Sequence, residues 1–207
     1  MNITLIGTGN MGLALAKQIT NAGHRLAIVG RNADKAKALA EATGATVKTS
    51  NAADGADIVI VATAYADSVD ALKGIGNIDG KIVIDISNPM TADYMGLTIG
   101  HDTSAAEQIQ KALPQARVVK AFNTVFAQVL AEGPKLNGAT VPIFVAGDDA
   151  EAKEPVSSLV HSLGFSAVDA GNLNNARYLE PLAGLNIYLG YGAGHGTAIA
   201  PAWIGIQ

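Results

Sequence analysis

Gly7-Thr8-Gly9-Asn10-Met11-Gly12 follows directly on the apolar run Asn2-Ile3-Thr4-Leu5-Ile6 and precedes a helical pattern of apolar residues from Leu13 to Ile19. A buried strand, a glycine turn and a helix N-terminus in this order are typical of the dinucleotide fingerprint G-x-G-x-x-G. In that motif Gly7 permits the tight turn, Gly9 lets the backbone approach a pyrophosphate, and Gly12 lets the helix pack closely on the strand. The helix N-terminus offers free N–H groups and a positive dipole end to the phosphates. We therefore predict that residues 7–12 (Gly7, Thr8, Gly9, Asn10, Met11 and Gly12) bind a dinucleotide; the alternative is a purely structural glycine turn.

The size and composition of the chain narrow its class. Its 207 residues suffice for one α/β domain, and 49% of them are apolar. The formal net charge of −4 argues against nucleic acid or an anionic membrane surface as partner, and the absence of cysteine excludes disulfides and thiolate catalysis. Apolar runs have only strand length, and Met1 lies directly against the first strand, so we expect no membrane span and no signal peptide. We predict a single cytoplasmic domain over 1–207.

The end of the second strand, Arg25–Val29, indicates which dinucleotide is preferred. About twenty residues beyond the glycine turn, an NAD site places an acidic residue that binds the ribose 2′-hydroxyl. This chain has Arg31 there, with Asn32 beside it and Lys35 one helical turn further on. A guanidinium can bind a 2′-phosphate through two charge-assisted hydrogen bonds, whereas a carboxylate would repel it. We predict that Arg31, Asn32 and Lys35 select NADP(H); the alternative is that Arg31 is a solvated loop residue.

The rest of the chain alternates strands and helices without a linker or repeat. Further strands are predicted at 45–47, 57–61, 81–85, 117–122, 141–147 and 165–169, and helices at 33–43, ending at Gly44, and at 148–163. Pro142 suits the beginning of its strand or a sheet edge. This alternation predicts an α/β fold of the Rossmann type, with a doubly wound, mainly parallel sheet and a small C-terminal helical and loop extension.

Residues just past strand C-termini are expected to face the cofactor. Ala62 and Thr63 are predicted along the dinucleotide, and Tyr65 either packs near the adenine or ribose or belongs to ordinary packing. Asn123 and Thr124 are expected to hydrogen-bond a nicotinamide carboxamide or the second reactant. Asn123 alternatively caps a helix containing Val125, Val129 and Leu130, and both roles can hold at once.

Two further segments are expected to contribute to the site or to the surface near it. The loop 91–103 is predicted to border the active site, and Thr103 or Ser104 to cap the following helix with Glu107 in a capping box. The segment 171–207 is predicted to form a substrate-pocket wall or a dimer surface, with an apolar helix from about Leu182 to Leu189 and a glycine-dense loop over 190–197. His195 in that loop is either a ligand-site residue or a solvated histidine, and His161 is expected to be structural.

Several stretches resemble the NADPH-dependent reductases of coenzyme F420. The matching stretches span nearly the whole chain: Gly7–Gly12, Gly30-Arg31, Asp85-Ile86-Ser87-Asn88-Pro89, Val119-Lys120-Ala121-Phe122-Asn123-Thr124, and Asp169-Ala170-Gly171 through Ala176-Arg177-Tyr178-Leu179-Glu180-Pro181. The glycine fingerprint is generic, but the stretches around Phe122 and Glu180 are more specific. The fold also resembles the reductase domain of the STEAP metalloreductases.

The resemblance implies hydride transfer between the nicotinamide C4 of NADP(H) and C5 of a deazaflavin, or transfer to a flavin-like acceptor. It implies that the two rings stack in a pocket built by the loops after the later strands and by the C-terminal segment. Carried over to this chain, it implicates Ser87, Asn88, Pro89, Ala121 and Asn123 at the cofactor, and Phe122, Thr124, Gly194 and His195 at the second ring.

No catalytic side chain is predicted, because hydride transfer between two rings needs proximity and water exclusion rather than proton transfer. The sequence shows no Tyr-x-x-x-Lys pair and no metal-ligand spacing. Two alternatives stay open. One is a β-hydroxyacid dehydrogenase, an imine reductase or an NADPH-dependent flavin or ferric reductase; the other is an NADP-binding redox sensor without turnover. The apolar C-terminal helix suggests a homodimer.

Overall fold

The computed structural model describes residues 1–205 of the chain, so residues 206–207 of the predicted C-terminal segment lie outside the described residues. Its strands are β1 (Asn2–Ile6), β2 (Arg25–Val29), β3 (Thr46–Val47), β4 (Ile58–Val61), β5 (Ile82–Asp85), β6 (Arg117–Lys120), β7 (Lys135–Leu136), β8 (Ala139–Thr140), β9 (Pro142–Val145) and β10 (Ser166–Asp169). Its α-helices are α1 (Asn10–Asn21), α2 (Ala33–Thr43), α3 (Ser68–Lys73), α4 (Ala105–Ala112), α5 (Ala127–Glu132), α6 (Ala150–Ser162) and α7 (Ala176–Ile187).

Six strands form one parallel sheet in the order β3-β2-β1-β4-β5-β6. This is the strand order of the doubly wound dinucleotide-binding fold, and the predicted fold class is confirmed. The order reverses between β1 and β4, where Leu5 is paired with Ile60. Open α/β sheets bind ligands outside the carboxyl ends of the strands at such a switch point, which here is the fingerprint turn.

The sheet is buried on both faces, as its unbroken apolar strands predict. Alternate residues of β4 enter two separate hydrophobic clusters: Ile58 and Ile60 pack with α1, and Val59 and Val61 pack with α3 and α4. All four side chains are fully buried. At roughly 1.5–3 kcal/mol for each fully buried aliphatic side chain, this central strand is a major source of stability.

A parallel pair of strands, β9 and β10, extends the sheet beyond β6. The two parts are joined by an antiparallel bridge in which Lys120 N–H donates to Ala146 O at 2.8 Å and Ala146 N–H donates to Lys120 O at 3.0 Å. Pro142 is the first residue of β9, which confirms its predicted position. The same strand end that forms this bridge also leads into the functional site.

The structure corrects the prediction for the segment after β6. The strand ends at Lys120 rather than at residue 122, because Phe122 adopts a left-handed backbone with φ 62°. Helix α5 begins only at Ala127 and its N-cap is Phe126, so Asn123 does not cap it and Val125 lies outside it. The apolar run therefore ends in a buried turn rather than in a longer strand.

The C-terminal helix also differs from the prediction. Helix α7 begins at Ala176, not near Leu182, and contains Pro181; it continues as a π-helical turn, Tyr188–Gly192. Proline removes one N–H donor from a helix interior, and here the tertiary contacts of α7 outweigh that loss. The short helix α3 and the hairpin β7–β8 were not predicted. Among the helices of residues 1–205, none combines the length and apolar character needed to cross a membrane.

Helix α4 begins as predicted, with Ser104 as its cap. Its hydroxyl accepts from Glu107 N–H at 3.2 Å and donates to Glu107 Oε2 at 2.8 Å. These two bonds resemble a capping box, but here the serine hydroxyl is both the acceptor of one bond and the donor of the other. This fixed start of α4 bears on the site described next.

Candidate functional site

The fingerprint turn leaves no room for side chains at two of its three glycines. Gly7 has φ +120°, and a Cβ on it would lie 2.3 Å from Ala62 O; a Cβ on Gly12 would lie 2.3 Å from Gly7 O. A Cβ on Gly9 would meet nothing within 4 Å. Gly7 and Gly12 therefore bring strand, turn and helix together, and Gly9 leaves open space above the turn.

The N-terminus of α1 faces that open space. Its N-cap is Gly9, which has no side chain to cap the helix, and the first intrahelical bond runs from Leu13 N–H to Gly9 O at 2.8 Å. The N–H groups of Asn10, Met11 and Gly12 precede this bond and are the unpaired donors of a helix start. Uncapped donors beside an open backbone turn fit a pyrophosphate.

A cleft of about 680 Å³, called here the arginine cleft, extends from the turn towards β2. Its lining includes Thr8, Arg31, Asn32, Lys35 and Thr63. Arg31 is 91% exposed, and its Nη1 lies 3.4 Å from Asp67 Oδ2 across the cleft. Asn32 caps α2, since its Oδ1 accepts from Lys35 N–H at 2.9 Å. The cleft thus holds two cations where a ribose phosphate would lie, one of them paired with a carboxylate.

A second cleft of about 590 Å³, called here the asparagine cleft, shares Gly9 and Ala62 with the first. Together the two form a continuous groove across the ends of β2, β1, β4, β5 and β6. Most of the second cleft is apolar or amide-bearing, and its only formally charged lining residue is Asp93. Its remaining lining residues are Asn10, Met11, Ile86, Asn88, Tyr94, Met95, Asn123, Thr124, Val125, Phe126, Ala127, Ala183, Asn186, Ile187 and Tyr191.

Two walls of the asparagine cleft come from segments outside the sheet. The loop expected to border the site contributes Asp93, Tyr94 and Met95, and it is closed by Thr91 N–H donating to Gly96 O at 2.8 Å. Helix α7 contributes Ala183, Asn186 and Ile187, and the π-helical turn contributes Tyr191, which packs edge-on against Phe126 with ring centroids 5.6 Å apart. These walls would limit the access of water to a bound ring.

The floor of this cleft is a network of buried amides. Asn123 Nδ2 donates to Asn88 Oδ1 at 3.0 Å and to Leu179 O at 3.1 Å, and Asn88 Nδ2 donates to Asn123 O at 2.9 Å. Asn186 Nδ2 donates to Thr124 O at 3.1 Å. The turn after β6 is therefore bonded to the loop after β5 on one side and to α7 on the other.

Three ionised side chains meet beneath this network. Lys120 Nζ lies 2.8 Å from Asp85 Oδ2 and 2.7 Å from Glu180 Oε1, and it donates to Ser87 O at 2.5 Å. All three side chains have at most 1% of their surface exposed. Glu180 Oε2 also accepts from Ala105 N–H, the first residue of α4, at 2.9 Å. We call Asp85, Lys120 and Glu180 the ion triad.

The ion triad combines one ammonium with two carboxylates, and this composition shifts the pKa values of Lys120 and Glu180. Burial disfavours the charged form of Lys120, but the two carboxylates outweigh it and hold its pKa above the usual lysine value. Burial raises the pKa of Glu180, and the attraction of Lys120 offsets only part of this effect. Burial also raises the pKa of Tyr65, and the negative charges of Glu180 and Asp85 raise it further. Tyr65 lines neither cleft.

The sequence reading did not identify the ion triad. Its members lie 35 and 60 residues apart along the chain and are joined only by the fold. The available signal was a lysine at the end of a strand, flanked by apolar residues, and a glutamate inside an apolar helix. All three belong to stretches on which the family resemblance was based, and the ion triad is what connects those stretches in space.

The predicted site residues divide into those that line the groove and those that do not. The groove is lined by Gly7, Thr8, Gly9, Asn10, Met11, Arg31, Asn32, Lys35, Ala62, Thr63, Asn88, Asn123 and Thr124. Gly12, Ser87, Pro89, Ala121 and Phe122 are buried and do not line the groove, and Gly194 and His195 lie exposed in the C-terminal segment outside both clefts. Within residues 1–205, no cluster of three metal-ligating side chains is present.

Comparison with known proteins adds independent evidence. The family model of coenzyme F420-dependent NADP oxidoreductases matches residues 2–89, from β1 to the loop after β5. The chain is 32% identical over 211 aligned positions to the F420-dependent NADP reductase of Methanocaldococcus jannaschii, covering 90% of this chain and 93% of that protein. It is also 28% identical to the rat metalloreductase STEAP3, covering 87% of this chain but only 36% of the rat protein.

The fold agrees with this relationship along its whole length. A crystal structure of a provisionally named F420-dependent NADP reductase from Arthrobacter sp. FB24 superposes with a TM-score of 0.87 at 31% identity, covering 98% of this chain and 100% of that chain. The similarity therefore includes α7 and the C-terminal segment, which form the asparagine cleft, and not only the fingerprint half. The chain belongs to the family of F420-dependent NADP reductases.

Proposed function

We propose that this protein transfers a hydride between NADP(H) and a deazaflavin of the coenzyme F420 type. The observation that supports it best is the continuous groove, with cations at one end, uncapped helix donors at its centre and an apolar, amide-floored cleft at the other end. When bound, the dihydronicotinamide supplies a hydride from C4, C5 of the deazaflavin accepts it, and solvent supplies the proton that completes the reduction.

The residues of the groove would hold NADP(H) in three parts. The N–H groups at the start of α1 would bind the pyrophosphate, and Arg31 and Lys35 would bind the 2′-phosphate. Asn88, Asn123 and Thr124 would lie beneath the reacting rings. The buried residues Ser87, Pro89, Ala121 and Phe122 would shape the groove from below rather than contact the cofactor.

The asparagine cleft suits a reaction that needs alignment rather than acid–base chemistry. Met11, Ile86, Val125 and Ile187 supply apolar contact area, and Tyr94 and Tyr191 border it. Holding two flat rings face to face in such a cleft lowers the barrier by proximity and by exclusion of water. Among the described lining residues the titratable side chains are Asp93, Tyr94 and Tyr191, and the proposed hydride transfer uses none of them as an acid or a base.

A flavin or ferric chelate as acceptor is the second candidate. The specific observation in its favour is the similarity to rat metalloreductase STEAP3 over 87% of this chain. A flavin has the same tricyclic outline as a deazaflavin and would fit a cleft of the same shape. An NADP-binding redox sensor would have the same groove but would show no turnover.

Rapid mixing with NADPH tests these alternatives. We expect oxidised coenzyme F420 to be bleached rapidly, with NADPH consumed in equal amounts, and FMN, FAD and ferric chelates to react more slowly. Faster reaction with a flavin or a ferric chelate would assign the protein to the second candidate. Binding of NADPH without oxidation by any acceptor would indicate the sensor and contradict hydride transfer.

We also propose that the protein is a cytoplasmic homodimer. The support for the dimer is an exposed apolar stripe formed by Tyr178 and Leu185 of α7 and by Tyr188, the first residue of the π-helical turn. None of these three residues lines the asparagine cleft. Such a stripe is typical of a surface buried by association. The cytoplasmic location stays a prediction from the sequence.

A further inference from the structure

We propose that Lys120 and Glu180 are positioning residues that set the width of the asparagine cleft and thereby determine how tightly the second reactant binds. The inference rests on the proposed function, because it assumes that the acceptor ring occupies this cleft. Neither side chain lines the cleft, so both act through the backbone segments that they join.

The ammonium of Lys120 bonds two segments, and Lys120 itself belongs to a third; each of the three provides lining residues. Through Asp85 and Ser87 it holds the end of β5, which continues into Ile86 and Asn88. Lys120 itself precedes the turn that contains Asn123 and Thr124. Through Glu180 it holds α7, one helical turn before Ala183. The floor and one wall of the cleft are thus fixed to a single buried charge.

Glu180 extends this attachment to a fourth element. Its carboxylate accepts from the first N–H groups of α4, Ala105 at 2.9 Å and Ala106 at 3.4 Å, as well as from Lys120. The position of α7 relative to the sheet is therefore determined by charge-assisted bonds at both carboxylate oxygens. Two weaker bonds repeat the attachment nearby, from Asn123 to Leu179 O and from Asn186 to Thr124 O.

The arginine cleft has no part in this arrangement. It is lined by the ends of β1, β2 and β4 and by the segment around α3, and none of its lining residues hydrogen-bonds to Lys120 or Glu180. A change at Glu180 should consequently move the acceptor side of the groove while the adenosine side keeps its geometry. This separation distinguishes positioning from a general loss of structure.

Glu180→Gln is the principal test, since glutamine keeps the shape and can still accept from α4 but loses the charge. We expect the KM for the acceptor to rise about tenfold, because displacement of a reacting group by about 1 Å has effects of this order or larger. The dissociation constant of NADPH, measured by fluorescence titration, should rise much less than the acceptor KM, because the pyrophosphate and ribose phosphate of NADPH would be bound outside the asparagine cleft. Circular dichroism should show a folded chain at the assay temperature.

Arg177→Met is the matched control. Arg177 joins the same two helices through a two-pronged ion pair with Glu107, at 2.6 and 2.9 Å, but neither residue lines the asparagine cleft. Its loss should lower the melting temperature without changing the KM for the acceptor. Lys120→Met alone would leave two buried carboxylates without a cation. The neutral triple variant D85N/K120M/E180Q therefore provides a second measurement, in which the acceptor KM should again rise more than the dissociation constant of NADPH.

Three outcomes decide the inference. An unchanged acceptor KM in both Glu180→Gln and the triple variant would overturn it, as would an equal loss of NADPH and acceptor binding. A selective rise in acceptor KM supports it. If none of the acceptors tested oxidises NADPH in the presence of the wild-type protein, the proposed function fails instead, and this is visible before any variant is compared.

Discussion

At the scale of single residues, Arg31 shows how a binding group is kept available. Its guanidinium is almost fully exposed at the rim of the arginine cleft, with Asp67 as its partner at 3.4 Å. An exposed pair of this kind contributes little to stability, so exchanging the carboxylate for a phosphate costs the protein little. Asn32, in contrast, is already engaged as the cap of α2 and has less freedom to bind a ligand.

Arg31→Ala should raise the KM for NADPH about tenfold and leave the KM for NADH unchanged, since a charge-assisted bond is worth roughly 1.5–3 kcal/mol before screening by solvent. Steady-state kinetics with both nucleotides measures this. Lys37→Ala is the control, because Lys37 lies nearby on α2, pairs with Glu41 at 3.9 Å and does not line the cleft. An equal change for both nucleotides would remove the argument for a 2′-phosphate site.

Gly9→Ala and Gly7→Ala should have different consequences. Alanine at Gly9 meets no atom within 4 Å, so we expect a melting temperature close to wild type and at least about a tenfold loss of NADPH affinity. Alanine at Gly7 would place its Cβ 2.3 Å from Ala62 O at φ +120°, so we expect an unstable protein. Thermal melts and fluorescence titration measure both effects. Unaltered NADPH binding by the Gly9 variant would contradict the pyrophosphate assignment.

At the scale of elements, features formed within one short segment were predictable, whereas features that depend on contacts between distant segments were not. The strand, glycine turn and helix of the fingerprint lie within twenty residues, so periodicity and residue type suffice to predict them. Phe122 was assigned to β6 because it continues an apolar run, yet it adopts a left-handed turn that only its buried surroundings select. Pro181 suggested a helix boundary, whereas the ion triad and the amide network hold α7 together across it.

The same limit applies to the site. Arg31, Gly9 and Asn123 were identified because they follow strand ends, a position that sequence alone reveals. Asn186, Ile187 and Tyr191 were not, because their place on the cleft depends on how α7 crosses the sheet. The loop containing Asp93 was expected at the site from its position in the chain, without knowledge of which side chains face inward.

Glu180 of α7 should also make the stability of the protein depend on pH. Burial raises the pKa of Glu180 above its ordinary value of 4.5, so above that pH the folded chain binds more protons than the unfolded chain. The corresponding stabilisation is present below pH 4.5 and is lost as the pH rises through the raised pKa. The stability of wild type relative to Glu180→Gln should therefore decrease as the pH rises above 4.5. Urea unfolding at several pH values measures it, and an increase over this range would contradict the direction of the shift.

At the scale of the whole molecule, the groove occupies one edge of the sheet and the apolar stripe of α7 lies on an outer surface. Helix α7 contributes to both, but through different faces. Its residues Ala183, Asn186 and Ile187 line the cleft, whereas Leu185 is 54% exposed. Association through the stripe would leave both clefts open in each protomer. It would also stabilise the helix that forms the cleft wall.

Leu185→Glu should convert a dimer into a monomer, because a carboxylate in the middle of an apolar interface would be buried without a partner. Sedimentation velocity over a range of concentrations measures the oligomeric state, and Lys111→Glu on the exposed side of α4 serves as the control for an added negative charge. A monomeric wild type, or a dimer unaffected by the glutamate, would contradict association through α7.

The unequal charge of the ion triad has a consequence for the redox balance of a bound nucleotide. Two carboxylates and one ammonium leave one negative charge beneath the asparagine cleft, and Asp93 adds another at its edge. The nicotinamide ring is cationic when oxidised and neutral when reduced, so this field favours NADP⁺ over NADPH and lowers the midpoint potential of the bound couple. Asp93→Asn should accordingly weaken NADP⁺ binding more than NADPH binding in equilibrium titrations. The fixed charges of the protein would then favour hydride donation by the bound nucleotide without taking part in the transfer themselves.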